Sequence, residues 1–267
     1  MKNRQQGLEV TMDQYPYTAS STGFISSFPG WAAAGGNDSL IKRLDDPEKY
    51  EKIKKALVKI RLTSSRNRYM PDMIYVAANE NHPEYEGKNL AQILELTGKE
   101  NTIENAAELI IEMQKEDQPG GVYFKMSEDD VTVLMQHKCT MIASDGSIKS
   151  IGKGVPHPRS YGTFPRVLGK YVREKAVLSL EEAIRKMTSL PAQTMRFNTR
   201  GVLKEGLAAD IVVFDENKIC DKAEYDNPHQ YSAGIHWVIV NGRTAIDNGE
   251  RTDVFYGRVI YGSGKSD

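Results

Sequence analysis

The sequence predicts an α/β fold with a small antiparallel β unit behind it, and three observations carry that reading. Up to about residue 198, short apolar runs that alternate like strands are interleaved with segments of helical spacing. Clusters of Gly, Pro, Asn and Asp punctuate the junctions between them. From Gly201 the helical segments stop, and Asn241-Gly242 lies between two apolar runs, the dipeptide a two-residue type I′ hairpin favours because both positions need positive φ. The boundary between the two parts is placed near residues 198–201.

In chain order, LEVTMD (8–13) reads as a strand and YPYTASSTGF (15–24) as a polar, aromatic loop. Asp46 as cap, Pro47 at the first helical position, and Tyr50, Ile53, Leu57 and Ile60 at helical spacing predict an amphipathic helix. DMIYVAAN (72–79) reads as a strand, NLAQILELTG (89–98) as a helix closed by Gly98, and TIENAAELIIEMQKE (102–116) as a helix capped by Thr102. GGVYFKM (120–126) is a short strand, and Ser127 with Asp130 marks the start of a helix over VTVLMQHK. CTMIASDGSI (139–148) is apolar at four of its first six positions and then delivers Asp145 at the carboxyl end of a buried strand. The loop GSIKSIGKGVPHPRSYGT (146–163) is too long for a simple connector. Helices follow over FPRVLGKYVREK (164–175) and SLEEAIRKMTSLPAQTMRF (179–197), the second opening on the capping pair Ser179 and Glu182. The strand–helix alternation before residue 198 predicts a parallel arrangement.

Composition narrows the function. The chain has 267 residues, 39% hydrophobic and 27% charged, with a formal net charge of -1, a balance of soluble globular proteins. It contains no apolar run of about 18 residues, and the N-terminus MKNRQQGLEV lacks the apolar segment of a signal peptide; a cytoplasmic protein with no membrane partner is expected. Without a basic stripe, no nucleic-acid partner is expected. Cys139 and Cys220 are the only cysteines, too few for a disulfide framework or a cysteine zinc knuckle. The expected partner is a small molecule.

Parallel α/β folds, barrels among them, build their sites where strands end at their carboxyl side. Asp145 sits at such an end, and Gly146 would let the backbone turn so that the carboxylate projects into the mouth; Asp before Gly also commonly caps a turn or the next helix. Tyr15, Tyr17 and Ser21 follow another strand end, and Arg159 in HPRSYG offers a planar fork that fits a carboxylate. Together they describe an anion pocket beside an acid/base group. Each also has a structural alternative: Tyr15 as a core aromatic, Ser21 as a turn residue, Arg159 as half of a surface ion pair. His82, His137, His157, His229 and His236 show neither HxH nor HExxH spacing, so no two of them are placed to grip one ion. His157, the one nearest the expected mouth, reads as orienting rather than ligating.

DQYPYTASSTGF, MIASDGS, PHPRSYGTFPRVLGKYVRE, SLEEAIRKMTSLPAQ and GLAADIVVFD, in this order, resemble the C-terminal half of the N-acyl-D-amino-acid deacylase (D-aminoacylase) family of the amidohydrolase superfamily. The resemblance implies the C-terminal part of a zinc-dependent (β/α)8 barrel over residues 1–200, with an inserted segment at about 25–120 covering the site, and a β-sandwich portion over 201–267. It implies hydrolysis of N-acyl-D-amino acids, with Asp145 as acid/base and metal contact, and Tyr15, Ser21 and Arg159 holding the substrate's carboxylate and orienting its amide. The family's remaining zinc ligands lie upstream of where this chain begins. A single carboxylate does not make a four-ligand zinc site, so the isolated chain is expected to be inactive. Three readings stay open: a fragment of a longer deacylase, a half that pairs with a separate N-terminal half or with itself, and a non-catalytic remnant that keeps a carboxylate pocket.

Overall fold

The computed structural model describes residues 6–62 and 70–261, and the side chains of Ile60 and Arg61 lie outside the described set. The first strand, β1 (Met12–Gln14), lies parallel to β5 (Thr140–Ile142), with Met12 opposite Thr140 and Gln14 opposite Ile142. The parallel register brings the two strands' carboxyl ends together, so Tyr15 and Asp145 emerge on the same side. β1 covers residues 12–14 instead of the expected 8–13 because its strand partner is itself three residues long. The buried Lys186 ammonium donates to the carbonyls of His137 and Thr140 and so ties a later helix to the amino end of β5.

Between these strands the chain builds a second sheet. β2 (Ser20–Gly23), β3 (Ile74–Ala78) and β4 (Gly120–Tyr123) form the order β2-β4-β3, antiparallel at both junctions. This corrects the expectation of a parallel arrangement throughout. Strand–helix alternation reports that elements alternate, not which way they run. One crossover helix returns the next strand parallel; here two helices, α4 (Leu90–Leu96) and α5 (Ile103–Glu116), lie between β3 and β4 and reverse the direction once more. The sheet packs with α1 (Gly30–Ala33), α2 (Asn37–Leu44), α3 (Pro47–Leu57), α4 and α5 around a core that includes Phe24, Leu40, Ile53, Leu57, Ile93 and Ile110. The local signals for these helices are physical caps. The Asp46 carboxylate accepts from the N–H groups of Glu48 and Lys49, Asn89 and Gln92 form a reciprocal capping box, and Thr102 accepts from Asn105 N–H.

A second core, including Val131, Met135, Ile142, Val167, Tyr171 and Ala183, lies under β5. It joins α6 (Glu128–Gln136), capped by Ser127, to the segment Val167–Glu174 that follows α7 (Arg159–Arg166), to α8 (Leu180–Met187) and to the β unit beyond residue 201. Two helix boundaries differ from expectation. α7 begins at Arg159, not Phe164, because Pro158 already has helical φ and ψ and starts the turn; past Pro165 the helix widens to π geometry over Val167–Glu174. The predicted helix 179–197 breaks at Thr188 into α8 and α9 (Ser189–Thr194), where Pro191 supplies no N–H to continue the ladder.

Beyond residue 201 the strands β6 (Ile211–Phe214), β7 (Ile235–Val240), β8 (Arg243–Asp247) and β9 (Glu250–Arg251) form one antiparallel sheet in sequence order. Asn241 and Gly242 both have positive φ, 49° and 78°, as the predicted type I′ hairpin requires. Asn248 and Gly249 repeat the geometry between β8 and β9.

Candidate active site

The site grows from the shared end of β1 and β5. Three residues past β5, Asp145 stands in the left-handed region with φ 45°, a conformation Asp tolerates better than most side chains. Its side chain is 68% exposed, and Oδ2 lies 2.8 Å from Arg159 Nη2, whose side chain is 9% exposed. The expectation that Gly146 supplies the turn needs correction. The positive φ falls on Asp145, and Gly146 serves close approach: a Cβ there would meet Ser160 Cα at 3.0 Å and the Arg159 carbonyl at 3.2 Å. The absent side chain lets the loop lie against the start of α7, where Ser160 Oγ accepts from Ser147 N–H. Asp145 caps no helix; it faces a guanidinium.

Arg159 is held on several sides. Nη2 also donates to the Ser21 carbonyl at 3.1 Å, and the guanidinium lies 4.8 Å from the centroid of the Tyr15 ring. Nη1 is buried without a hydrogen-bond partner among the described residues. Tyr15, Arg159 and Asp145 therefore converge, while Ser21 reaches the group through its backbone carbonyl. Burial raises the Tyr15 phenol above its usual pKa; the Arg159 charge opposes that and the Asp145 charge adds to it. The phenol stays a hydrogen-bond donor at neutral pH.

His157, 3% exposed, orients this group. Its Nδ1 accepts from Arg159 N–H at 3.0 Å and its Nε2–H donates to the Ala19 carbonyl at 2.9 Å. These bonds fix a neutral tautomer and use both ring nitrogens. Burial, followed by the neighbouring Arg159 and Arg166 charges, pushes its pKa down to about 4, against the pull of the Ala19 bond. The rings of Tyr15 and Tyr17 meet it edge-on at 5.9 and 5.0 Å.

A cleft of about 260 Å³ opens here, between the ends of the parallel strands and the inserted antiparallel sheet. Its walls include Ser21, Ala78, Asp145, Lys149, Lys153 and Arg159. The loop bearing the lysines is pinned to the sheet, since Val155 N–H donates to the Ala77 carbonyl at 2.7 Å and the Gly154 carbonyl accepts from His229 Nε2 at 2.9 Å. A larger cavity of about 750 Å³ lies at the opposite, amino end of β1 and β5, beside Thr11, Lys138 and Cys139. Cys139 thus stands at the far end of the strand from Asp145.

The donor set does not complete a zinc site. Among the described residues no group of three or more His, Cys, Asp or Glu side chains is placed to hold a metal ion, and a closed site needs about four ligands. Asp145 offers one carboxylate, and His157 has both nitrogens engaged.

Three groups escaped the sequence reading. Arg166 lies over the Tyr17 ring at 4.7 Å, donates to the Pro16 carbonyl, and pairs with Asp221 at 2.6 Å, so it locks the tyrosine loop to α7 and to the segment before β7. No sequence signal marks it. Lys149 and Lys153 carried one: the stretch 146–158 holds two lysines, four apart, and no Asp or Glu.

Comparison with known proteins gives the family of the chain. The amidohydrolase family's sequence model matches residues 86–246. The chain is 35% identical over 239 residues to the N-acyl-D-glutamate deacylase of Alcaligenes xylosoxydans xylosoxydans, covering 90% of this chain and 39% of that protein. Its structure is similar to the crystal structure of N-acyl-D-glutamate deacylase from Bordetella bronchiseptica, complexed with zinc and a phosphonate inhibitor that mimics the tetrahedral intermediate. The TM-score is 0.66 at 34% identity, over 91% of this chain and 41% of that one. A crystal structure of D-aminoacylase matches with TM-score 0.70 at 30% identity, over 95% of this chain and 43% of that one. The chain spans about two fifths of the length of these relatives. By the extent of these matches, the chain belongs to the amidohydrolase family, and within it to the D-aminoacylase family.

Proposed function

We propose that this chain is the C-terminal part of a zinc-dependent hydrolase that removes the acyl group from N-acyl-D-amino acids. Residues 1–200 belong on this reading to a (β/α)8 barrel, the segment at about 25–120 is an insertion over its mouth, and residues 201–267 contribute to a β-sandwich. The observation that carries the proposal is the 2.8 Å pair of Asp145 and Arg159 at the common carboxyl end of two parallel strands, the end where such folds place their chemistry. The names of the relatives, deacylases of N-acyl-D-amino acids, support the substrate class.

In this reading Arg159 receives the substrate's α-carboxylate, using the buried Nη1 that has no partner among the described residues. The Tyr15 hydroxyl and the Ser21 segment orient the amide. Asp145 accepts a proton from the attacking water and delivers one to the leaving nitrogen, as a positioned carboxylate does in general acid–base catalysis. Asp145 would be one ligand of a zinc ion completed by donors from outside the described residues, and that ion would lower the pKa of the attacking water and polarise the amide carbonyl.

The test is complementation. The chain is mixed with the upstream part of a full-length deacylase, and zinc content and hydrolysis of an N-acetyl-D-amino acid are measured. Hydrolysis in the mixture and none from either part alone is expected. Hydrolysis by this chain alone overturns the assignment of the missing ligands. Carboxylate binding with no hydrolysis in a zinc-replete mixture leaves the non-catalytic reading standing instead.

A further inference from the structure

We infer that Tyr225, contributed by the β unit, is a positioning residue of the candidate active site: its ring holds the His157 imidazole and, through it, the Arg159 backbone at the start of α7. The consequence for ligand binding rests on the proposed role of Arg159 as the anchor of the α-carboxylate. Tyr225 lies between β6 and β7, far along the chain from the residues that line the cleft. Its ring nevertheless stands 5.2 Å from the His157 ring at an interplanar angle of 75° and 6.2 Å from the Tyr17 ring at 78°. On another side it meets Phe124, just past β4, at 4.7 Å. The tyrosine is thus wedged between the inserted sheet and the histidine of the site.

Hydrogen bonds alone leave the imidazole one freedom. Nε2–H donates to the Ala19 carbonyl and Nδ1 accepts from Arg159 N–H, and two such points still let the ring swing about the line that joins them. Rings packed at steep angles oppose that swing, here those of Tyr15, Tyr17 and Tyr225. Tyr15 and Tyr17 belong to the same loop as the Ala19 carbonyl; Tyr225 comes from a separate segment and braces the ring independently. Locking a group by packing as well as by hydrogen bonds is what holds a site to its geometry. The brace is itself anchored. Cys220 and Ala233 exchange backbone hydrogen bonds at 3.2 and 3.0 Å and close the base of the segment. Just inside that base the Asp221 carboxylate pairs with Arg166 of α7 at 2.6 Å. Gly162 permits the close approach, since a Cβ there would meet Asp221 Cβ at 2.6 Å and the Tyr17 hydroxyl at 3.0 Å. Gln230 Nε2 donates to the Lys222 and Asn227 carbonyls across the loop. A closed loop, not a free arm, therefore presents the ring.

The test compares Tyr225→Leu, which removes the ring, with Tyr225→Phe, which keeps it, in the full chain. Hydrogen exchange of the Arg159 amide reports its bond to His157 Nδ1, exchange at Ile110 and Met135 reports the two cores, and NMR titration gives the dissociation constant of N-acetyl-D-alanine. In Tyr225→Leu the Arg159 amide is expected to exchange about tenfold faster and the ligand to bind about tenfold more weakly, the factor that one edge-to-face ring contact can carry. Exchange in both cores is expected to stay unchanged, and Tyr225→Phe to match the native chain in every readout. An unchanged Arg159 amide in Tyr225→Leu, equal acceleration in the cores, or a Tyr225→Phe that behaves like Tyr225→Leu overturns the inference. Should Tyr225→Leu not fold, Tyr225→Met fills the space without a planar face and is held to the same outcomes. Faster exchange at Arg159 with affinity unchanged, or with no binding even by the native chain, supports the hold on His157 and overturns the carboxylate role of Arg159 instead.

Discussion

Arg159 shows why a guanidinium and not an ammonium stands in this position. One nitrogen serves Asp145 and the Ser21 carbonyl, another is buried with no partner among the described residues, and the guanidinium lies against the Tyr15 ring. Lysine has neither the fork nor the flat face. In the assembled enzyme Arg159→Lys is expected to raise KM about tenfold or more with a smaller change in kcat, checked by steady-state kinetics; a pure kcat effect removes the carboxylate role. Asp145 calls for a different substitution. At φ 45° alanine bears left-handed strain that asparagine tolerates, so Asp145→Asn isolates the lost base. Turnover is expected to fall by at least about a hundredfold, with the circular dichroism spectrum unchanged because the side chain is largely exposed. His157 contributes to stability in a pH-dependent way. Its pKa drops from the usual 6.5 to about 4 on folding, so between those values the unfolded chain binds more protons than the folded one. Stability is then complete above about pH 6.5 and is lost as pH falls toward 4. At about 1.4 kcal/mol per pH unit, the loss is on the order of 3 kcal/mol. Urea unfolding at a series of pH values measures it, and His157→Gln is expected to flatten the slope in that window.

At the scale of elements, the site depends on how closely the loop after β5 meets the start of α7. Gly146→Ala is expected to push the two apart, since the new Cβ would press on backbone atoms of Arg159 and Ser160 that have little room to give. Affinity for an N-acetyl-D-amino acid should weaken severalfold while unfolding midpoints change little, a split that titration and thermal denaturation resolve. Such tertiary closeness shows which features were legible in the sequence. Caps at Asp46, Thr102, Ser127 and Ser179 are local hydrogen bonds written in adjacent residues, and the Asn241-Gly242 hairpin is a matter of two φ angles. The meeting of Asp145, Arg159 and Tyr15 was legible as well, because strand ends gather in parallel α/β folds. The antiparallel β2-β4-β3 sheet was not, since its direction depends on a count of crossover helices. The start of α7 was hidden by Pro156, Pro158 and Gly162, which read as loop residues until Pro158 is seen with helical φ and ψ. At Ser21 the sequence shows a hydroxyl, whereas the contact with Arg159 runs through the carbonyl behind it.

The whole molecule divides its stability between two cores, and this bears on what an isolated chain can do. Among the described residues, the core of Phe24, Leu40, Ile53 and Ile110 is enclosed within residues 24–123. The core under β5 is less complete: β1 and β5 form a sheet of only two strands, neither with a further strand on its outer edge among the described residues, and the amino end of that pair opens on the 750 Å³ cavity. Leu8, Met12 and Met195, each next in sequence to a residue that lines it, are exposed. A parallel pair with both edges bare is an unusual end state, because parallel sheets are stable when covered and extended. A complementary upstream segment that supplied flanking strands would bind the folded chain and not the unfolded one, and so would raise its stability by linkage. At a hundredfold excess over Kd the gain is about 2.7 kcal/mol, or on the order of 5–10 °C in Tm for a domain of this size. The expected result is a Tm increase of that order, detected at the signal of the β5 core, on adding the upstream half of a D-aminoacylase. Zinc retained after gel filtration should rise from well below one equivalent for the chain alone to about one or more per complex, since Asp145 alone cannot hold the ion. Full zinc retention by the chain alone would contradict the one-donor account of this site, and an unchanged Tm would mean that the bare strand edges are not where the added upstream half binds.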